Sequence, residues 1–159
     1  MRNSTNALAR TLVGGWEVSG IVTLESGLPL NITVTGGQGG NGVGGTNRPD
    51  KVGALVAPHT KQQWMTGSAF ANPVVGAWGN LGYDAVRGPG RDNWNLSLFK
   101  AFVFSEARGS QFELRLETLN TFNHPQIQSV PTGLGSSNFG QPNGFFPGRI
   151  VQLGGKISF

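Results

Sequence analysis

The chain has 159 residues, enough for one domain of ordinary size, with 26 glycines and only 13% charged residues. It contains no cysteine, which excludes disulfides, thiolate metal sites and a cysteine nucleophile. The formal net charge is +4, but the 12 Lys and Arg residues are scattered and form no basic run, so the composition gives no support to nucleic-acid binding.

A membrane-spanning helix is not expected, because no segment reaches the roughly 18 consecutive apolar residues that it needs. Residues 1–10 also lack the apolar core of a signal peptide. The high glycine content favours strands joined by turns and loops. Any membrane crossing would therefore use β-strands, and an export signal would have to come from upstream sequence.

The first predicted strand runs from residue 16 to residue 34, after a lead-in or turn at residues 1–15. Its residues alternate between an apolar and a more polar side. A strand of a globular domain has about 5–6 residues, whereas about 9–11 residues cross a bilayer as a tilted strand. Since proline cannot donate to a β-ladder, Pro29 leaves a hairpin turn at Ser26 and Gly27 open as the alternative. The apolar side holds Trp16, Val18, Gly20, Val22, Leu24, Leu28, Leu30, Ile32 and Val34.

Residues 35–93 show little periodicity and are predicted to form a long outer loop. Its first part, residues 36–45, is glycine-rich and predicted to be flexible. This run lacks the Lys-Ser or Lys-Thr pair of a phosphate-binding loop, so no nucleotide site is expected. Three aromatic residues of the loop, Trp64, Trp78 and Tyr83, are candidates to stack on a sugar or another ligand.

Two further strands are predicted at residues 94–104 and 112–122, joined by a short polar turn at residues 105–110. Lys100 falls on the apolar side of the first, where it would either extend to a membrane boundary or mark a bulge. The alternation of the second strand is predicted to slip near Leu119. Charged residues on one side of a strand need water or one another. The predicted lumen-facing charges are Glu17 of the first strand, with Glu113, Arg115 and Glu117.

A second long loop is predicted at residues 123–149 and a last strand at residues 150–159. The three connections between consecutive predicted strands are long, short and long. In an antiparallel meander this places both long loops at one end of the sheet, and the short turn and the C-terminus at the other end. This is the topology of outer-membrane barrels. The predicted fold class is all-β: an antiparallel up-and-down meander of about four long strands with two long loops, the C-terminal part of a transmembrane β-barrel. A soluble β-sandwich module for binding or adhesion is the alternative.

The final segment carries a pattern of its own. Residues 152–159 read Gln-Leu-Gly-Gly-Lys-Ile-Ser-Phe: a polar residue, a glycine two positions later, and apolar residues at the third-last and last positions. The segment resembles the C-terminal β-signal of outer-membrane barrel proteins. The resemblance implies a last strand that the barrel assembly machinery recognises through Gln152, Gly154, Ile157 and Phe159.

Several short stretches carry a second likeness, namely residues 12–21, 26–30, 47–50, 87–90, 93–100 and 120–125. Together, and in this order, they resemble the C-terminal end of TonB-dependent receptor-like barrels, in particular the acidobacterial type with a carboxypeptidase-regulatory-like domain. The likeness covers nearly the whole chain from Leu12.

The resemblance implies a barrel of about 22 strands closed around a plug domain, with energy for uptake passed from the inner membrane by TonB. The chain would supply about four of those strands and no plug. It would be a fragment of a longer gene, or Met1 would be an internal start, and in both cases the chain is expected to be inactive alone. The implied partners are outer-membrane lipid, the barrel assembly machinery, the TonB system through missing upstream domains, and an unknown ligand, but no nucleic acid. The implied location is the outer membrane of a Gram-negative-type bacterium.

No constellation of residues predicts catalysis, so an enzyme is not expected. His59 and His124 are far apart in the sequence, each beside a proline, and further metal ligands at a defined spacing are missing. Glu113 and Glu117 could act as an acid and a base, but Arg115 between them favours a ladder of paired charges. No catalytic residue, metal ligand or cofactor is therefore predicted.

Overall fold

The computed structural model describes residues 12–34, 46–105 and 108–159. Most of the predicted lead-in, the glycine-rich run at residues 36–45 and the middle of the short turn at residues 105–110 lie outside the described residues. Within them, the chain forms a 3₁₀ helix at Gly67–Ala69 and 12 strands. The strands are β1 (Trp16–Glu25), β2 (Pro29–Leu30), β3 (Thr33–Val34), β4 (Asp50–Lys51), β5 (Phe70–Ala71), β6 (Val86–Arg87), β7 (Arg91–Ser105), β8 (Ser110–Leu119), β9 (Ile127–Ser129), β10 (Gly133–Leu134), β11 (Gly144–Phe145) and β12 (Ile150–Ser158).

The chain divides into two compact units. Within the described residues, the sheet unit holds residues 12–23, 92–105, 108–124 and 147–159, and the loop unit holds residues 24–34, 46–91 and 125–146. None of the helices in the described part of the chain is long and apolar enough to cross a membrane.

The four long strands form one sheet, the main sheet, in the order β1-β7-β8-β12. β8 pairs antiparallel with both β7 and β12. The backbone N–H of Ala101 donates to the carbonyl oxygen of Gly15 at 2.8 Å, and Gly20 lies against Leu96. Residue numbers therefore rise along β1 as they fall along β7, and this pair is antiparallel too. The predicted all-β antiparallel meander is confirmed.

The single strand predicted at residues 16–34 is wrong in its length, because β1 ends at Glu25. The alternative hairpin at the following residues is not formed either, since β2 pairs with β6. The period-two pattern continues past Glu25 for a different reason: Ile32 belongs to the hydrophobic core of the loop unit, and Val34 is also buried. The alternating segment at residues 16–34 thus contributes its first part to β1 and its last part to the core of the loop unit.

The other long strands differ from the prediction at their ends. β7 extends the segment predicted at residues 94–104 on both sides, and β8 ends three residues before the predicted residue 122. The predicted slip near Leu119 is wrong, because the ladder of β8 with β12 stays regular to the pair of Leu119 and Ile150. The strand stops there because the chain turns at the next residue.

Asn120 makes that turn with its side chain. Its φ is +52°, in the left-handed region that Asn tolerates. Its side-chain amide donates to the carbonyl oxygens of His124 at 3.1 Å and of Pro147 at 3.2 Å, and its side-chain oxygen accepts from the backbone N–H of His124 at 3.0 Å. Its own N–H donates to Oδ1 of Asn95 at 2.9 Å. Asn120 therefore ties the end of β8 to three other segments of the sheet unit.

Replacing Asn120 by Ala is expected to lower the free energy of unfolding by about 2–3 kcal/mol, because it removes the bonds to partly buried backbone groups. It also puts Ala, which tolerates the left-handed region less well than Asn, at a positive φ. Chemical unfolding of the detergent-solubilised protein measures the loss. Asn120→Gly removes the same bonds without the backbone strain, so it should recover about 1 kcal/mol. An Ala variant as stable as the native chain would show that these bonds do not hold the turn.

The loop unit contains the residues predicted as two long loops. Eight short strands form four two-stranded sheets within it, and one of these pairs, β3 with β10, is parallel. Seven residues of the loop unit form a buried hydrophobic core. The short strands have two or three residues each, too few for a period to be visible in the sequence. The core consists of Ile32, Met65, Ala69, Phe70, Leu81, Val86 and Val130.

Candidate functional site

The pairing register gives the main sheet one apolar and one polar face, because directly opposite residues of a ladder share a face and successive residues alternate. Exceptions on the apolar face are Asp92, Lys100 and Thr118, and exceptions on the polar face are Ile21, Phe99, Val103, Leu119 and Ile150. The apolar face carries Trp16, Val18, Val22, Leu96, Leu98, Phe102, Phe112, Leu114, Leu116, Val151, Leu153 and Ile157. The polar face carries Glu17, Ser19, Asn95, Ser97, Glu113, Arg115, Glu117, Gln152 and Lys156.

Two neighbouring rows across the sheet show this contrast most clearly. On the outer strands, Val18 and Leu153 of the apolar row are 72% and 73% exposed. Apolar side chains that stay exposed together need a partner or an apolar solvent. The apolar row is Val18, Leu98, Leu116 and Leu153, and the polar row one residue away is Ser19, Ser97, Glu117 and Gln152.

The predicted lumen-facing charges share the polar face. Nε of Arg115 contacts Oε1 of Glu113 in an ion pair along β8, and the guanidinium of Arg115 lies 5.5 Å from the centre of the Phe99 ring. Glu117 and Glu17 lie on the same face of β8 and β1. Since ionised side chains need water or paired charges, this face requires a wet environment. That the environment is a barrel lumen stays a prediction.

Lys100 is a charged residue that β7 places in the middle of the apolar face. It is 3% exposed, and its Nζ donates to the carbonyl oxygens of Gly14 and Leu12, the latter at 3.4 Å. The Trp16 ring centre lies 5.0 Å from the same Nζ. The predicted bulge at Lys100 is wrong, because its pairing with Leu114 is regular. Carbonyl groups just before β1 bind the ammonium; that it lies near a membrane boundary stays a prediction.

The residues of the predicted assembly signal lie on β12 or directly after it. Gln152 and Gly154 are on the polar face and Ile157 is on the apolar face. In the described residues, β12 pairs only with β8, so its other edge is open. A Cβ atom at Gly154 would meet no atom within 4 Å, and Phe159 is fully exposed. Packing within the described chain therefore explains neither residue, and recognition of this segment by the assembly machinery stays a prediction.

The structure divides the three aromatic residues predicted as ligand contacts. Trp64 packs against the core of the loop unit, with its ring centre 4.6 Å from that of His59 and its Nε1 donating to the carbonyl oxygen of Arg87 at 2.8 Å. Trp78 and Tyr83 are exposed. Among the described residues, no ring contact joins any two of the three. Trp64 therefore has structural contacts within the loop unit, and ligand contact by any of the three residues stays a prediction.

A cleft in the loop unit was missed by the sequence analysis. Its volume is about 350 Å³. The guanidinium of Arg91 lies 4.4 Å from the centre of the Phe146 ring, and Glu25 lines the same cleft. No signal could have found it, since its residues come from segments without a shared period. The other lining residues are Ser26, Leu28, Pro29, Leu30, Gly88, Pro89, Gly90, Ile127, Gln128, Ser129 and Val130.

The histidines have separate neighbours. His59 contacts Trp64, and Nδ1 of His124 lies 3.8 Å from Oδ2 of Asp92. Across residues 12–34, 46–105 and 108–159, no group of three or more His, Cys, Asp or Glu side chains is placed to hold a metal ion. The structure thus adds no candidate catalytic residue among those it describes. That the chain is not an enzyme stays a prediction.

A family model described as an outer membrane beta barrel domain matches residues 1–152 of the chain. The matched region contains β1, β7, β8 and the start of β12. Searches of the curated proteins and of the solved structures found no match.

Proposed function

Since the chain belongs to the family of outer membrane beta barrel domains, we propose that it supplies four consecutive strands of a TonB-dependent receptor-like barrel and contributes to ligand capture and uptake across the outer membrane. The main sheet, with its one apolar and one polar face, is the observation that carries the proposal. Transmembrane barrels place such a sheet between lipid and a polar interior. Family membership supports an outer-membrane location in a Gram-negative-type bacterium.

The open edges of the main sheet support a larger barrel. In the described residues, β1 pairs only with β7, and β12 only with β8. Unpaired backbone groups in lipid each cost several kcal/mol or more, so further strands must complete the barrel. We propose that the 159-residue chain is therefore inactive in transport by itself.

The receptor assignment rests on the short motifs. One of them, residues 120–125, forms the hydrogen-bonded turn that Asn120 organises at the end of β8. The proposed partners are outer-membrane lipid on the apolar face, the barrel assembly machinery on β12, and the TonB system through upstream domains. Nucleic acid is not a proposed partner, and the proposed action is binding rather than catalysis.

A soluble β-sandwich is not favoured as the alternative. A sandwich buries the apolar faces of two sheets against each other, whereas Val18 and Leu153 are largely exposed.

Photo-crosslinking of the full-length gene product to the periplasmic part of TonB tests the receptor assignment. We expect a crosslinked complex in outer-membrane fractions that is lost when the upstream TonB-contacting segment is deleted. Recovery in the outer membrane without any crosslink would keep the barrel and overturn its assignment as a TonB-dependent receptor.

A further inference from the structure

The cleft in the loop unit has the size and lining of a small-molecule site. Its volume of about 350 Å³ falls within the usual range of roughly 300–1,000 Å³ for such sites. Its walls are apolar at Leu28, Ile127 and Phe146, with two charged side chains, Arg91 and Glu25, among them. A mostly apolar cleft with few polar groups fixes the orientation of a ligand through those groups.

Arg91 has unused capacity to donate hydrogen bonds. Its guanidinium lies over the Phe146 ring at 4.4 Å, and its Nε is buried without an acceptor among the described residues. Buried polar groups in folded proteins nearly always have a partner. The planar guanidinium, already oriented by the ring, matches the two oxygens of a carboxylate. Because Arg91 also lines the cleft, a ligand carboxylate can bind its guanidinium there.

Glu25 narrows the chemistry of that ligand. It lines the same cleft as Arg91, yet no ion pair joins the two side chains in the part of the chain that the structure describes. A simple anion bound at Arg91 would be repelled by the Glu25 carboxylate, and a simple cation would be repelled by Arg91. A ligand that carries both charges satisfies both side chains.

We propose that this cleft binds a small zwitterion with an apolar body, such as an apolar amino acid or dipeptide. Its carboxylate binds Arg91, its ammonium binds Glu25, and its aliphatic side chains lie against Leu28, Ile127 and Phe146. This assignment names the class of ligand for the uptake proposed above. Only the transport of that ligand rests on the proposed function. Binding to the cleft itself is independent of that step.

Calorimetric titration of the full-length gene product in detergent with three probes tests the assignment. Leucyl-leucine carries both charges, its N-acetyl derivative only the carboxylate, and its C-terminal amide only the ammonium. We expect leucyl-leucine to bind about tenfold or more tightly than either derivative, because each derivative leaves one charge in the cleft unpaired.

Variants assign each charge to its partner. Arg91→Met should remove the preference for leucyl-leucine over its amide, which lacks the carboxylate. Glu25→Gln should remove the preference for leucyl-leucine over its N-acetyl derivative, which lacks the ammonium. Arg48 is the matched control, since its guanidinium also lies over an aromatic ring, that of Tyr83 at 4.7 Å, but does not line the cleft. Arg48→Met should leave all three affinities unchanged. If Arg91→Met does not fold, the three probes on the native protein still decide.

Equal affinity for the three probes, or no saturable binding of leucyl-leucine, would overturn the ligand class. That failure is distinguishable from failure of the proposed function. A protein that is crosslinked to TonB in the outer membrane but does not discriminate the probes loses only the cleft assignment. A protein that discriminates them but is absent from the outer membrane loses the transport proposal.

Discussion

Replacing Leu153 by Arg is expected to lower the free energy of unfolding of the membrane-inserted protein by about 2–4 kcal/mol, the cost of a cation on the lipid-facing side of a barrel near the bilayer midplane. Leu153 lies at the middle of β12, in the apolar row with Leu116 directly opposite it on β8. It is 73% exposed, so a long side chain meets no steric obstacle there. In water, the same substitution on an exposed position would cost little. Reversible unfolding of the full-length gene product in lipid vesicles measures the difference.

Gln152→Arg is the matched control for this substitution. Gln152 is the neighbour of Leu153 on the same strand but points to the polar face, opposite Glu117. The same cation on that face is expected to change the free energy of unfolding by no more than about 0.5 kcal/mol. Equal effects of the two substitutions would mean that the two faces meet the same solvent.

Deleting Phe159 is expected to reduce the amount of protein in the outer membrane by about tenfold or more, the effect of losing about 1.4 kcal/mol or more of recognition. Phe159 lies after the end of β12 and is fully exposed. Its removal takes away no packing within the described chain, so the stability of the fold should barely change. A loss from the outer membrane would therefore report an interaction with another molecule, which we propose to be the barrel assembly machinery.

Outer-membrane fractionation of the full-length gene product with its native upstream sequence makes this measurement. Phe159→Tyr keeps the aromatic ring and is expected to retain most of the protein in the outer membrane. Undiminished recovery after the deletion would show that residue 159 is not part of an assembly signal.

The alternation of apolar residues was sufficient to predict the main sheet and its two faces. In β1, β8 and β12 nearly every second residue is apolar, and the pairing register brings those residues to one side. A two-sided sheet produces this pattern in whatever solvent its faces meet. The fold class therefore followed from the sequence.

The same alternation misled at residues 26–34. Ile32 is apolar because it is buried in the core of the loop unit, and a short buried segment has the same pattern as a strand of the main sheet. The end of β8 was missed for a related reason. Asn120, with a φ of +52°, turns the chain there. The alternation of apolar and polar residues contains no information on the backbone angle of a single residue.

The role of Lys100 and the cleft depend on long-range contacts. Lys100 binds carbonyl oxygens more than 80 residues earlier in the chain. Arg91 meets Phe146 only because two segments without visible periodicity fold together. Contacts between residues so far apart in the sequence leave no local pattern. The sequence therefore showed Lys100 only as a charged residue on the apolar side of its strand, and it did not predict the cleft at all.

Single-cysteine labelling of the main sheet tests the central claim most directly. The chain contains no cysteine, so Leu153→Cys and Gln152→Cys in the full-length gene product each place one thiol on opposite faces of β12, if upstream cysteines are replaced. In lipid vesicles, a bilayer-restricted quencher should quench a fluorophore at position 153 and not at 152, while a small water-soluble maleimide should react at position 152 and not at 153. Equal quenching and equal reaction at both positions would contradict a sheet that separates lipid from water.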